Sequence, residues 1–261
     1  MYKPTQTWMF CRIMYSLALL ILVGTFLSAQ GQDEWERCAE GPCDCLPNTL
    51  RVRCRFLPIE DIVSSQYFPS DTHRVDLRDN GMIRLPENFF VERPMPTLKE
   101  LRLRDNPLTE LSSADFVGLS HLPWLSIDNT QLTTLPEDLL FELKSLRLAW
   151  IIRNEQLESI PDSLFYGLNE LKTVSIDGNT KLTEIPRRLF LGTQNTLDFV
   201  TIRDGKNITE DGLPNDIFFS ADTGSILRLE DIGLTVLRKG VFGTVTYPGS
   251  TISVRFNWDL Q

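Results

Sequence analysis

Four cysteines, Cys38, Cys43, Cys45 and Cys54, crowd into one short stretch, while a fifth, Cys11, stands apart. Thiols this close either oxidise in pairs or hold a zinc ion as thiolates. Their spacing is not that of two CxxC pairs, and an even number in an exported chain points to two disulfides. Four cysteines allow three pairings, and spacing does not choose among them. Other reactive chemistry is sparse. His73 and His121 are the two histidines, and they lie far apart in the chain. No nucleophile motif, phosphate-binding glycine loop or zinc signature is present, and the aspartates are spread along turn-like segments. The expectation is therefore a non-enzyme with no catalytic residues, no metal and no cofactor. Asn207-Ile208-Thr209 is the one N-glycosylation acceptor triplet, and a glycan there requires an exposed turn.

The N-terminus sets the compartment. Lys3 and Arg12 precede an uncharged apolar run from Ile13 to Leu27, followed by the small residues Ser28-Ala29-Gln30-Gly31. This is the layout of a secretory signal peptide over residues 1–31, cleaved after Ala29 or Gly31. The run falls short of the roughly 20 apolar residues of a spanning helix. No later stretch is long enough to cross a bilayer, so a secreted, extracellular chain without membrane insertion is expected. Removing Lys3 and Arg12 with that segment takes the net charge from −9 to −11. Nucleic acid is an unfavourable partner for so acidic a chain, because phosphate binding needs clustered cations.

Beyond the cysteines, one pattern repeats to the end. LKELRLRDNPLTEL from Leu98, LPWLSIDNTQLTTLP from Leu122, LRLAWIIRNEQLESIP from Leu146 and LKTVSIDGNTKLTEIP from Leu171 share one frame. The frame extends upstream to His73 and downstream to Leu197, Ser225 and Ser250, with starts 24 to 27 residues apart. Each unit supplies one short strand with alternating buried residues, then returns through a looser segment. A late Phe or Leu there also points inward, at Phe90, Phe116, Leu140, Phe165, Phe190 and Phe242. No unit can bury its own face, so stability must come from stacked neighbours. An asparagine ends the strand at Asn80, Asn106, Asn154, Asn179 and Asn257, where it can bond backbone groups at the turn. Thr130, Gly205 and Ile232 replace it elsewhere, so that ladder should weaken there. Repeats four to six carry an extra residue after the turn (RNEQL, GNTKL, GKNI), which should bulge the ascending loop.

From about Cys38 onward the chain resembles the extracellular leucine-rich-repeat family. CAEGPCDCLPNTLRVRC looks like that family's N-terminal cap, and FPSDTHRVDL like the usual lead into the first full repeat. The resemblance implies an α/β solenoid: a horseshoe with a parallel β-sheet on the concave face and an irregular, short-helical convex side. It divides the chain into a cap over 32–71 and, over 72–261, seven repeats with the start of an eighth. It also implies the pairing of Cys38 with Cys45 and Cys43 with Cys54. The chain stops at Gln261 inside the eighth repeat, without the cysteine-rich C-terminal cap of secreted relatives. The sequence is read as continuing further, with a short form or a homodimer contact as the alternatives. The PCDC cap and bulged repeats also resemble, more distantly, the non-catalytic leucine-rich subunit of crustacean luciferase and similar arthropod secreted proteins.

In such a sheet the residues between buried positions face the concave surface. The first two strands place charges of both signs there, including Arg74, Asp76, Arg78, Asp79, Glu100, Arg102, Arg104 and Asp105. The next two place Trp124, Leu148, Trp150 and Ile152 where the pattern predicts exposure, with Phe199 further along. Adjacent strands lie ~4.8 Å apart, so these side chains should form one patch, unless the tryptophans cover each other or the fourth frame is shifted. Apolar clusters with Trp and flanking Arg mark binding surfaces. Arg102 and Arg104 are placed with this site, their alternative role being pairing with Asp79 and Asp105. The function expected is recognition of an extracellular protein ligand on the concave face. Alternatives are a subunit of a secreted enzyme complex, an extracellular-matrix leucine-rich protein, or a truncated receptor ectodomain. The missing Ser-Gly cluster and different cysteine spacing count against the matrix reading.

Overall fold

The computed structural model describes residues 34–64, 68–193, 196–209, 211–215, 226–234, 236, 241 and 251–256. The expected signal peptide, Phe242 and Asn257 lie outside the described residues. Among the described residues ten strands form one sheet in chain order, each beside its neighbour in sequence. They are β1 (Asp44–Leu46), β2 (Arg51–Arg53), β3 (Arg74–Asp76), β4 (Glu100–Arg102) and β5 (Trp124–Asp128), then β6 (Leu148–Ile152), β7 (Thr173–Ser175), β8 (Phe199–Arg203), β9 (Ile226–Ile232) and β10 (Thr251–Phe256). From β2 to β10 every neighbouring pair is parallel. That is the leucine-rich-repeat solenoid the periodicity implied, one strand per unit and one unit beside the next. Helix is scarce among the described residues: a short helix over 34–39, α1 (Ile59–Ser64), α2 (Phe89–Glu92) and 3-10 turns at Pro47–Thr49 and Ser113–Phe116.

The core follows from the frame. Leu101 and Leu103 of one repeat, Leu125 and Ile127 of the next, and their counterparts onward are all buried within one continuous cluster. Phe90, Phe116, Leu140, Phe165 and Phe190 close the core from the loop side, each at most 3 % exposed. The residue after each one points the other way, so Val91, Val117, Phe141, Tyr166 and Leu191 are exposed on that side.

The N-terminal edge is closed by β1, which runs antiparallel to β2. Disulfides join Cys38 to Cys45 and Cys43 to Cys54. Trp35 is buried against this edge and its Nε1 donates to Asp71 Oδ1 at 2.9 Å. A free sheet edge invites pairing with another chain, and a cap that ends in a three-residue strand blunts that liability.

Each strand ends in a sharp turn, and the backbone shows how. The residue before the asparagine position is left-handed in every described repeat: Asp79, Asp105, Asn129, Arg153, Gly178, Asp204 and Asp231, with φ between 52° and 69°. Asp, Asn and Gly tolerate this region, whereas a long side chain such as Arg153 does so at a cost of ~1–2 kcal/mol. The buried asparagines then stitch neighbouring turns together. Asn106 Nδ2 donates to Leu77 O at 2.8 Å and to Leu103 O at 3.0 Å, while its Oδ1 accepts from Asn80 N at 3.0 Å. Asn154 and Asn179 repeat the arrangement.

The substitutions in this ladder have distinct outcomes. Thr130 stays attached, its hydroxyl and its N–H both donating to Asn154 Oδ1, at 2.6 Å and 3.0 Å. At Gly205 the polar rung is gone and the space is apolar, since a Cβ there would stand 2.8 Å from Ile208 Cδ1 and 3.5 Å from Ile232 Cγ2. The extra residue of repeats four to six is absorbed as a turn. Leu157 N bonds Asn154 O at 2.9 Å, Leu182 N bonds Asn179 O at 3.1 Å and Ile208 N bonds Gly205 O at 2.9 Å. The uninserted repeat has the tighter Leu108 N to Asn106 O contact at 2.8 Å.

Candidate ligand-binding face

Because the ladder is in register, concave side chains stack into columns across the sheet. In one column Arg51, Arg74 and Glu100 lead toward Trp124, then Leu148, Thr173, Phe199 and Ile226. In the next, Arg53, Asp76, Arg102, Ser126, Trp150, Ser175, Thr201 and Arg228 follow one another.

The N-terminal columns form two layers rather than a mixture. Asp76 is fully buried, and its carboxylate accepts from Arg51, from Arg55 Nη2 at 3.2 Å, and from Arg78 Nε at 2.7 Å and Nη2 at 3.1 Å. Glu100, 2 % exposed, accepts from both Arg74 and Arg102. The expectation that Asp76 and Glu100 project into the concave space is therefore corrected: they lie on that face but beneath guanidinium groups. A buried carboxylate is tolerable only when paired and hydrogen-bonded, which is what the arginines supply. Arg102 is drawn to Glu100 rather than to Asp79 or Asp105, and its guanidinium also sits 5.4 Å from the Trp124 ring centroid. Arg104 stands 2.7 Å from Asp105 and 3.5 Å from Asp128.

At β5 and β6 this lattice gives way to apolar side chains. Trp124 and Trp150 meet edge to face with ring centroids 4.9 Å apart, and Leu148 is the strand partner of Trp124. These side chains, with Ile152 and Phe199, were expected to be exposed; each is half-buried instead. The mutual packing of the two rings accounts for part of this, so one of the alternatives considered from sequence is realised. The frame of the fourth repeat is not shifted, since Ala149 and Ile151 are the buried residues of β6 and Trp150 faces the concave side. Trp124 Nε1 is enclosed without an acceptor. An unpaired enclosed donor costs roughly 1–3 kcal/mol, a penalty set against the ring's burial and its contact with Trp150.

Phe199 is set off from that window by Thr173 and lies under Arg228, 5.1 Å from ring centroid to guanidinium carbon. Around it the polar lattice resumes. Asp177 accepts from Ser175 Oγ at 2.7 Å, Thr201 Oγ1 at 3.1 Å and Arg203 Nη2 at 2.9 Å. The hydrogen bond to Asp177 raises the Arg203 pKa above its ordinary value. Arg153 is likewise raised by its hydrogen bonds to Asp128, at 2.9 Å and 2.6 Å. That two-pronged contact also pins the costly left-handed backbone of Arg153.

Asn207 is exposed on a turn, and its Nδ2 donates to Thr180 O of the preceding repeat at 2.6 Å. His121 is exposed and His73 half-buried, one repeat-length and more apart along the solenoid. Among the described residues there is no cluster of three or more potential metal ligands, and no helix is long and apolar enough to cross a membrane. The carboxylate underlayer is the feature sequence reading missed. Its signal was present in the alternation of Arg and Asp or Glu along and across β2 to β4, which places opposite charges as cross-strand neighbours.

A stacked parallel sheet with one strand per unit is the arrangement of a leucine-rich-repeat solenoid. Residues 96–148 match the family model described as Leucine rich repeat, and the chain has the leucine-rich-repeat fold. No curated protein matches it by sequence, so the distant likeness to the crustacean luciferase subunit gains no support there. Solved structures share the fold. Human 5T4 (Wnt-activated inhibitory factor 1, trophoblast glycoprotein) is 18 % identical, covering 83 % of this chain and 80 % of its own, with a TM-score of 0.63. Toll from Drosophila, solved in complex with Spatzle, is 26 % identical over 70 % of this chain, with a TM-score of 0.57. TLR13, solved with single-stranded RNA, is 18 % identical over 76 % of this chain, also at 0.57. The present chain spans 24 % of that Toll chain and 27 % of that TLR13 chain.

Proposed function

We propose that this chain is a secreted recognition module that holds an extracellular protein ligand on its concave face, with Trp124 and Trp150 as the central anchor. The observation that carries the reading is the interruption of the ion-pair lattice at β5 and β6 by Trp124, Leu148, Trp150 and Ile152. A solenoid needs no aromatic pair on the side away from its core, and large half-buried aromatics flanked by arginine have the composition of interface hot spots. The Toll structure, solved with Spatzle, is an instance of the fold in complex with a protein. The two disulfides fit an oxidising compartment, and the exposed turn at Asn207 fits a glycan on the released protein.

The test is affinity capture from secreted proteins with the full chain, run beside the Trp124→Ala/Trp150→Ala variant after circular dichroism has shown that it is folded. A protein retained by the wild type and lost by the variant supports the reading. Equal retention by both, for every captured protein, would remove the tryptophans from the interface. Intact mass of the secreted chain, before and after removal of N-glycans, tests Asn207 separately.

A further inference from the structure

The guanidinium layer of β2 to β4 has no role in the fold that requires its size. Two buried carboxylates, Asp76 and Glu100, could be neutralised by two cations, yet they receive five arginines, with Arg53 and Arg104 beside them. The layering decides what an approaching molecule meets. The side chains of Asp76 and Glu100 are 0 % and 3 % exposed, whereas those of the arginines that pair with them range from 15 % for Arg51 to 40 % for Arg74. Solvent therefore faces N–H groups, and a chain of net charge −9 carries a locally cationic surface.

These donors are positioned but not used up. A guanidinium carries five N–H donors, and Arg78 directs two of its nitrogens at Asp76 while Arg74 directs one at Glu100. The carboxylates beneath hold the planar groups in place before any ligand arrives, which lowers the ordering cost of binding.

We propose that the arginines of β2 to β4 form an anion subsite that takes a carboxylate-rich stretch of the protein ligand, whose adjoining apolar residues seat on the Trp124–Trp150 window. This rests on the reading that the concave face holds a protein. Charge complementarity selects the acidic partner, and continuity selects a protein over a polyanion. Arg102 touches both Glu100 and the Trp124 ring, so cationic and apolar surfaces are one site. The cationic layer is also interrupted by the apolar window at β5 and β6 before Arg203 and Arg228, whereas a long sulfated glycan or nucleic acid favours an unbroken one along the strand it tracks.

The experiment uses a fluorescent oligoglutamate peptide ending in Phe-Leu-Phe, a matched peptide ending in Gly-Ser-Gly, heparin and polyuridylate, with binding to the full chain read by anisotropy. Arg53→Ala/Arg104→Ala is the arginine variant of choice. Arg53 touches the exposed Asp44 at 3.8 Å, and Asp128 keeps Arg153 when Arg104 is removed, so no buried carboxylate is stranded. The apolar-ended peptide is expected to bind most tightly, to weaken about tenfold in the arginine variant as charge-assisted contacts are lost, and to weaken further with salt. Trp124→Ala/Trp150→Ala is expected to abolish the preference for the Phe-Leu-Phe ending while keeping the salt dependence. Unchanged peptide affinity in the arginine variant, or no binding at low salt, overturns the anion subsite. Arginine-dependent binding of heparin or polyuridylate, with peptides of matched charge inert, overturns it in favour of a polyanion site. If proteins captured by the wild type depend on the tryptophans but not on the arginines, this inference fails and the concave-face reading stands.

Discussion

Between β4 and β5 the concave face changes character while the backbone beneath it does not. On both sides of that line the strands are parallel, the register is unbroken and the buried residues are aliphatic. Over β2 to β4 the outward positions hold carboxylates under arginines; over β5 and β6 they hold two tryptophans, a leucine and an isoleucine. The difference teaches that the repeat frame and the surface it displays are separable. Aliphatic residues inside specify the solenoid, and the positions between them are free to carry an ionic lattice or an apolar window. In the ionic region most polar atoms have partners, so it contributes rigidity as well as charge. Enclosed donors without acceptors occur in both regions, the Trp124 indole N–H in the window and the Nε groups of Arg51, Arg53 and Arg55 in the ionic region, so it is the side-chain chemistry on display that distinguishes them.

The largest effect expected from substitution is in the ionic region. Asp76→Ala leaves Arg51, Arg55 and Arg78 without their shared acceptor and should cost about 3 kcal/mol of stability, as for breaking a buried pair; urea unfolding monitored by circular dichroism checks it. A loss under about 1 kcal/mol would mean that the lattice is solvated and the two-layer description is wrong. Next, Trp124→Ala/Trp150→Ala should weaken ligand binding by roughly 2 kcal/mol or more while leaving a folded chain. Should the double variant unfold instead, the window would belong to the scaffold and the contrast between regions would collapse.

Smaller effects sharpen the same contrast. Asn154→Ala removes the side-chain bonds to Thr130 and Ile127 of the preceding turn and should cost roughly 1–3 kcal/mol, since buried N–H and C=O groups lose their partner. This loss should be alike whichever concave region lies above, because the ladder serves the backbone alone. At the lower end, Lys172→Ala breaks a 3.0 Å ion pair with Asp198 in which both side chains are more than half exposed. Its cost should stay under about 0.5 kcal/mol, and a larger one would show that position along the solenoid outweighs burial.

The scaffold was legible because its determinants are local and repeated. Leu98 and its counterparts set the frame, Phe116 and Phe165 close it, and Asn106 marks the turn, all readable from spacing. The left-handed residue was half visible, since Asp79, Asp105 and Asn129 are types that tolerate positive φ. Arg153 in the same role carried no such signal, because a contact with Asp128 of the neighbouring repeat holds it there. The window was found from the columns, but its depth was not: how far Trp124 and Trp150 cover each other depends on side-chain rotation, which periodicity does not encode. The burial of Asp76 and Glu100 was missed for a related reason. Whether a charge faces solvent depends on which longer side chains fold over it, and besides Arg78 and Arg102 two residues on, these include Arg51 and Arg74 from strands about 25 residues away in sequence.

The most direct test of a protein ligand on the concave face is site-specific photo-crosslinking. A photoreactive residue placed at Thr173, between the tryptophan window and Phe199, is compared with one at Phe141 on the loop side. Covalent capture of the same extracellular protein from Thr173 and not from Phe141 is the expected result. Capture from Phe141 with none from Thr173 would put the ligand on the opposite side of the solenoid and contradict the account.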